Sequence, residues 1–169
     1  MLHPGPHPGH YGVLPMHSDA IVAHPSPLLW PLVALVAWTL LIMIWMLVAR
    51  FAYFRRSGIN LGNIPDGSRG VNLDGREDAA SSQWKSHNYN HLMEQPTLFY
   101  AIVLALVVMG FDHPVNVWLA WGYVGFRVVH SLIQCTVNKV RYRLPVFTLA
   151  TLCLVGLTFH AVIFMLHHG

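Results

Sequence analysis

Four long apolar runs separated by polar connectors set the layout of this chain. From Leu28 to Ala49 no residue is charged, and the run LLWPLVALVAWTLLIMIWMLVA closed by Arg50 is long enough to cross about 30 Å of hydrocarbon as one helix. The next purely apolar stretch, Thr97 to Phe111, has only 15 residues, too few to cross at a helix's rise per residue. It has to borrow residues upstream. Starting near His91 brings Glu94, Gln95 and Pro96 into the first two turns, where a proline costs no hydrogen bond. A short turn, Gly110 to Pro114, leads to a third run, Val115 to Thr136, and the basic turn 138–143 leads to a fourth, Leu144 to Leu166. The pattern predicts an all-α, integral membrane four-helix bundle with spans at about 28–50, 91–111, 115–136 and 144–166. A polar loop is expected at 51–90, rich in Gly, Asn, Ser and Asp and without a sustained helical period.

Composition agrees with this layout. Hydrophobic residues make up 54% of the chain and charged ones 10%, well below the quarter or so that a soluble domain carries. The formal charge of +3 comes from basic residues spread over connectors, with no basic face for nucleic acid, which is excluded as a partner. Cys135 and Cys153 both fall in apolar runs and read as small core residues. Residues 1–27 hold five His and six Pro but no Lys or Arg, and read as a flexible tail rather than a cleaved leader. The fragment Asn72-Leu73-Asp74-Gly75 lacks the further ligands that a calcium loop needs.

Charge also orients the bundle. With four crossings, Arg50, Arg55, Arg56, Arg69, Arg76, Lys85, Lys139, Arg141 and Arg143 share one side, and no Lys or Arg falls on the other. The positive-inside rule makes the basic side cytoplasmic and puts both termini on the opposite side. The tenth cation, Arg127, lies within the third span, about 13 Å deep by helix rise. Glu94 lies at similar depth in the second. Isolated charges there are costly, so both should face the bundle interior or a wet cavity and each other. Arg127, His130 and Gln134 share one helix face, as do Asn88, His91 and Glu94. With Arg50, Arg141 and Arg143 above them, the two stripes predict a cationic pocket near the cytoplasmic surface. It suits an anionic, water-soluble cosubstrate that meets an apolar partner from the bilayer.

The stretch Asn90-His91-Leu92-Met93-Glu94-Gln95-Pro96-Thr97-Leu98-Phe99-Tyr100 resembles the second-helix signature of the MAPEG family, the membrane-associated proteins of eicosanoid and glutathione metabolism. A second match is Arg127-Val128-Val129-His130-Ser131, followed by Arg143. The similarity takes in residues 28–166, four spans with the long loop after the first. It implies a homotrimer with glutathione sites between neighbouring subunits near the cytoplasmic face. Glu94 and Arg127 would hold the peptide, His130 would neighbour the site, and Arg143 would stabilise the glutathione thiolate. The sequence departs from the family pattern at two places. His91 stands where family transferases usually have Asn, and Gln134 stands where several members have Tyr.

The function expected from this resemblance is a glutathione-dependent transferase or peroxidase acting on a lipophilic electrophile or hydroperoxide at the cytoplasmic leaflet. The alternative is a non-catalytic accessory or scaffold subunit that docks to a larger membrane complex, since the family also contains members without turnover. The site residues are then Arg143 for catalysis, with Arg50, Asn88, His91, Glu94, Arg127, His130, Gln134 and Arg141 binding glutathione. The membrane would be a bacterial inner membrane or an endoplasmic one. A haem or metal protein is the third reading, but the membrane histidines do not form two level pairs, and no metal site is assigned. Bland readings stand beside the sharp ones. Glu94 and Arg127 have a lesser reading as a structural ion pair, and residues 139–143 one as a topology signal. Gly122, Gly125 and Ala120 read as points of close helix contact, and Trp30, Trp38, Trp45, Trp118 and Trp121 as lipid-facing or interfacial bulk.

Overall fold

The computed structural model describes residues 25–58, 62 and 80–168. Most of the expected tail, much of the expected loop and the Asn72–Gly75 fragment lie outside them. Among the described residues five helices follow in order: α1 Leu29–Arg56, α2 Ala80–Glu94, α3 Pro96–Val108, α4 Pro114–Thr136 and α5 Val140–His168. Together they form a four-helix membrane bundle, because α2 and α3 act as one rod. Pro96 has no N–H to give to Leu92 and interrupts the hydrogen-bond ladder at Gln95. The buried positions nevertheless run on without a slip: Ser82, Lys85, Asn88, Leu92, Pro96, Phe99, Val103 and Leu106. Their spacing of three or four keeps one face inward through the break.

This stripe corrects the loop expected at 51–90. α1 continues six residues past Arg50 to Arg56, with Arg55 and Arg56 in a last turn where cations offset the exposed carbonyls. At the other end α2 begins at Ala80. Polar Ser82, Lys85 and Asn88 fill inward positions of α2, so a search for apolar periodicity reads that segment as a loop.

Three helical stretches, Leu29–Arg56, Ser82–Val108 and Val140–His168, are long and apolar enough to cross a membrane. α4 does not stand out this way because its polar residues are inside the bundle. Asn116, Arg127, His130, Ser131 and Gln134 are all buried, whereas Trp118, Trp121, Val129 and Leu132 form its exposed face. At 23 residues it is about 35 Å long, which suffices for a crossing.

The core is built where α3, α4 and α5 meet, with Phe99 stacked on Tyr123 at 4.4 Å and Leu106, Ala120, Ala150 and Leu157 fully enclosed around them. α4 and α5 approach closely at two glycines. A Cβ on Gly122 would stand 3.2 Å from the Cys153 sulfur, and one on Gly156 would stand 3.1 Å from Leu119 Cδ1. Gly122 and the enclosed Ala120 thus behave as expected, but Gly125 faces open space and Gly156 takes the part assigned to it. Trp38 also departs from expectation, packing against the core with a buried Nε1, while Trp30, Trp45, Trp118 and Trp121 are exposed.

The two ends of the bundle differ in chemistry. At one, Arg50 Nη2 donates to Ser86 Oγ at 3.0 Å, and the α4–α5 turn brings Lys139, Arg141 and Arg143 alongside. At the other, the fully buried Asn116 donates to the Phe111 carbonyl at 3.1 Å and faces His160 Nδ1 at 2.8 Å. That bridge fastens the α3–α4 turn to α5.

Candidate functional site

α4 supplies the polar interior. Arg127, His130 and Gln134 lie on one face, as their i, i+3, i+7 spacing predicts, and all three are buried. Arg127 is fully enclosed. Its Nη2 donates to the backbone carbonyl of His91 at 3.1 Å, and its guanidinium carbon lies 5.4 Å from the Phe147 ring and 5.7 Å from the Tyr123 ring. Aromatic faces accept a cation on electrostatic grounds, which offsets part of its desolvation. Yet no acceptor meets Arg127 Nε or Nη1 in good hydrogen-bond geometry, although both are buried and the Tyr123 hydroxyl lies nearby.

His130 is held on both ring nitrogens. Nδ1 lies 3.1 Å from the Arg143 carbonyl and Nε2 lies 3.0 Å from Gln134 Oε1. The Arg143 backbone carbonyl only accepts, so a neutral imidazole donates from Nδ1 and accepts at Nε2 from the Gln134 amide flipped to present its NH2. His91 lies 5.8 Å from His130 and 5.9 Å from Phe147, ring centroid to ring centroid, and its own Nδ1 is buried without a partner. One turn earlier on α2, Asn88 is fully enclosed, and its amide lies beside the Cys135 thiol with neither of its atoms in a well-formed hydrogen bond. Gln95 donates to Thr151 Oγ1 at 2.9 Å and leaves its own Oε1 buried and unmatched. Unmatched buried polar groups are rare in proteins and costly, and here they are concentrated around the α2–α4 contact.

The structure therefore brings Asn88, His91, Arg127, His130 and Gln134 together, joins Arg143 to them through its backbone carbonyl, and leaves Arg50, Glu94 and Arg141 apart. Glu94, expected to meet Arg127, is exposed and makes no ion pair with it. The reason is helical phase: Asn90, Met93, Glu94 and Thr97 form the outward face of the α2–α3 rod, opposite the buried stripe. Arg127 finds a backbone carbonyl instead. Arg50 is half-buried against Ser86, with its Nε unpartnered. Arg141 is exposed and lies against the Tyr142 ring and hydroxyl. Arg143 is half-buried and donates from Nη1 to Asn138 Oδ1 at 2.9 Å.

Several neighbours of this interior were not singled out in the sequence. Tyr123 lies one turn before Arg127, and Phe147 one turn after Arg143, so helical spacing from those arginines was the available signal. Asn138 and the buried Lys85, which lies 5.1 Å from the Trp45 ring, gave none. Beyond the polar interior, an apolar groove of about 800 Å³ runs between α3 and α5 from Gln95 and Thr151 to Phe159 and Val162. Among the described residues no group of three His, Cys, Asp or Glu side chains is placed to hold a metal ion.

The family model of the MAPEG family matches residues 28–163, which covers most of the chain and reaches into the last helix. The chain belongs to the MAPEG family. No curated protein and no solved structure matches it. As a MAPEG protein it is an integral membrane protein, and the apolar faces of its helices are the surfaces that meet lipid. His91 and Gln134 both lie beside His130.

Proposed function

We propose that this MAPEG protein binds glutathione and acts as a transferase or peroxidase toward a lipophilic electrophile or hydroperoxide. The observation that carries this reading is the enclosed Arg127, whose Nη2 is met by the His91 carbonyl while two further buried donors, Nε and Nη1, are left unmatched. The residues present fit an anionic peptide on that ground. Arg127 would hold a carboxylate, with Asn88 and His91 offering further unmatched polar atoms beside it. Bound glutathione would supply the nucleophilic sulfur.

Arg143 is the cation assigned to that sulfur. A free thiol has a pKa of about 8.5, and a guanidinium nearby in a poorly hydrated site favours the reactive thiolate. The exposed face bearing Glu94 would complete the site against a neighbouring copy in a homotrimer, as the resemblance implies. The α3–α5 groove, with Gln95 at its polar end, would seat the apolar partner arriving from the bilayer. The basic end would lie at the cytoplasmic surface.

A second reading, a non-catalytic accessory subunit, rests on the complete enclosure of Arg127 and on Glu94 facing away from it. Thermal unfolding in detergent separates the two. A ligand that binds only the folded form must raise its stability, by about 2.7 kcal/mol at a hundredfold excess over Kd. Glutathione at millimolar concentration is expected to raise the unfolding temperature, and an unchanged temperature would favour the accessory role.

A further inference from the structure

We infer that Asn138 is a positioning residue that aims the Arg143 guanidinium; this rests on the reading in which Arg143 faces a glutathione sulfur. Asn138 adopts φ +50°, the left-handed conformation that closes a helix and that Asn tolerates better than most residues. Its backbone N–H returns to the Ile133 carbonyl at 2.8 Å, and the preceding Val137 N–H reaches the same carbonyl at 3.0 Å. The turn is thereby fixed to the end of α4. From it, Asn138 Oδ1 accepts the Arg143 Nη1–H at 2.9 Å.

Arg143 is gripped a second time at its backbone. His130 Nδ1 donates to the Arg143 carbonyl at 3.1 Å, so the first turn of α5 is tied to α4 both at the cap and about two helix turns deeper. An unrestrained arginine at a membrane surface turns its charge toward water and headgroups. With two holds the guanidinium is confined to the rim of the polar interior. The chemistry of the clamp matters as much as its place. Glycine would satisfy the left-handed turn but offers no acceptor, and aspartate would accept but cancel the charge. Asparagine holds the guanidinium and leaves its full positive charge available to a sulfur anion.

Asn138→Gly tests this, because it keeps the turn and removes the clamp. The readout is the ultraviolet absorbance of the thiolate in the glutathione complex of the full-length protein, titrated with pH. N138G is expected to leave about tenfold fewer thiolates at neutral pH, while glutathione affinity stays within about threefold. N138D should also lose thiolate, since its carboxylate offsets the guanidinium. R143A should match N138G, and N138G should add nothing in the R143A background, because both remove one interaction. Wild-type thiolate content in N138G, or a loss fully additive with R143A, would overturn the clamp and leave glutathione binding intact. Absence of any bound thiolate in the unmodified protein would instead remove the glutathione reading and the clamp's role together.

Discussion

Arg127 is where the physical argument is most exposed to test. Burying an ion with two unmet donors costs several kcal/mol, and replacing such groups with apolar side chains of similar length is often neutral or stabilising. If the guanidinium exists for an anion, Arg127→Met should leave the ligand-free protein as stable as before or more so. It should also weaken glutathione binding at least tenfold. Thermal unfolding with and without glutathione reads both quantities from one preparation. A large loss of ligand-free stability with the glutathione effect retained would assign Arg127 to packing against Tyr123 and Phe147 alone. The spacing of Arg127, His130 and Gln134 announced their shared face, because side chains seven residues apart on a helix fall within 20° or so of each other. The partner of Arg127 could not be read the same way. It is the His91 carbonyl, and every residue has a carbonyl.

The helices were legible in proportion to how apolar their buried faces are. α1 buries Pro31, Leu35, Ile42 and Met46, and α5 buries Ala150, Leu154, Leu157 and Ala161, so hydropathy located both. α2 was missed before His91 because its inward positions are Ser82, Lys85 and Asn88. Close contact was read correctly at Gly122 but not at Gly125, whose place Gly156 takes. The distances separate the cases. Gly156→Leu would drive a side chain into Leu119 and should cost about 1–3 kcal/mol, the usual range for overpacking. Gly125→Ala enters open space and should be neutral or gain up to about 1 kcal/mol of helix propensity. At the far end of the same helix pair, Asn116→Ala should cost about 1–3 kcal/mol, since it strands His160 and the Phe111 carbonyl. Reversible unfolding in mixed micelles, followed by circular dichroism, would rank the three; a G125A variant as damaged as G156L would refute the packing of α4 on α5.

For the whole molecule, the decisive feature is the outward face of the α2–α3 rod. Asn90, Glu94 and Thr97 are exposed on it, within a stretch long and apolar enough to lie in the bilayer. A carboxylate facing hydrocarbon is penalised by about 2.5–3.5 kcal/mol on insertion scales. Leu98 and Val108 continue the same side toward the opposite leaflet, and the groove against α5 lies beside it. A second copy of the chain placed there would exclude lipid from Glu94 and bury the apolar remainder. A closed ring of such contacts, each heterologous and each repeated by rotation, satisfies every copy without leaving an open edge. This predicts that cysteine placed at Met93, carrying a short reagent whose other end links to any adjacent chain on photoactivation in intact membranes, gives products that stop at three chains. Replacement of Val33, exposed on α1, serves as the comparison position. Glu94→Gln should preserve the cross-linked product, because a neutral amide is cheaper to bury than a carboxylate, and yet impair glutathione binding. Cross-linking confined to monomers at both positions would leave Glu94 facing lipid unprotected, and the shared site between subunits would have to be abandoned.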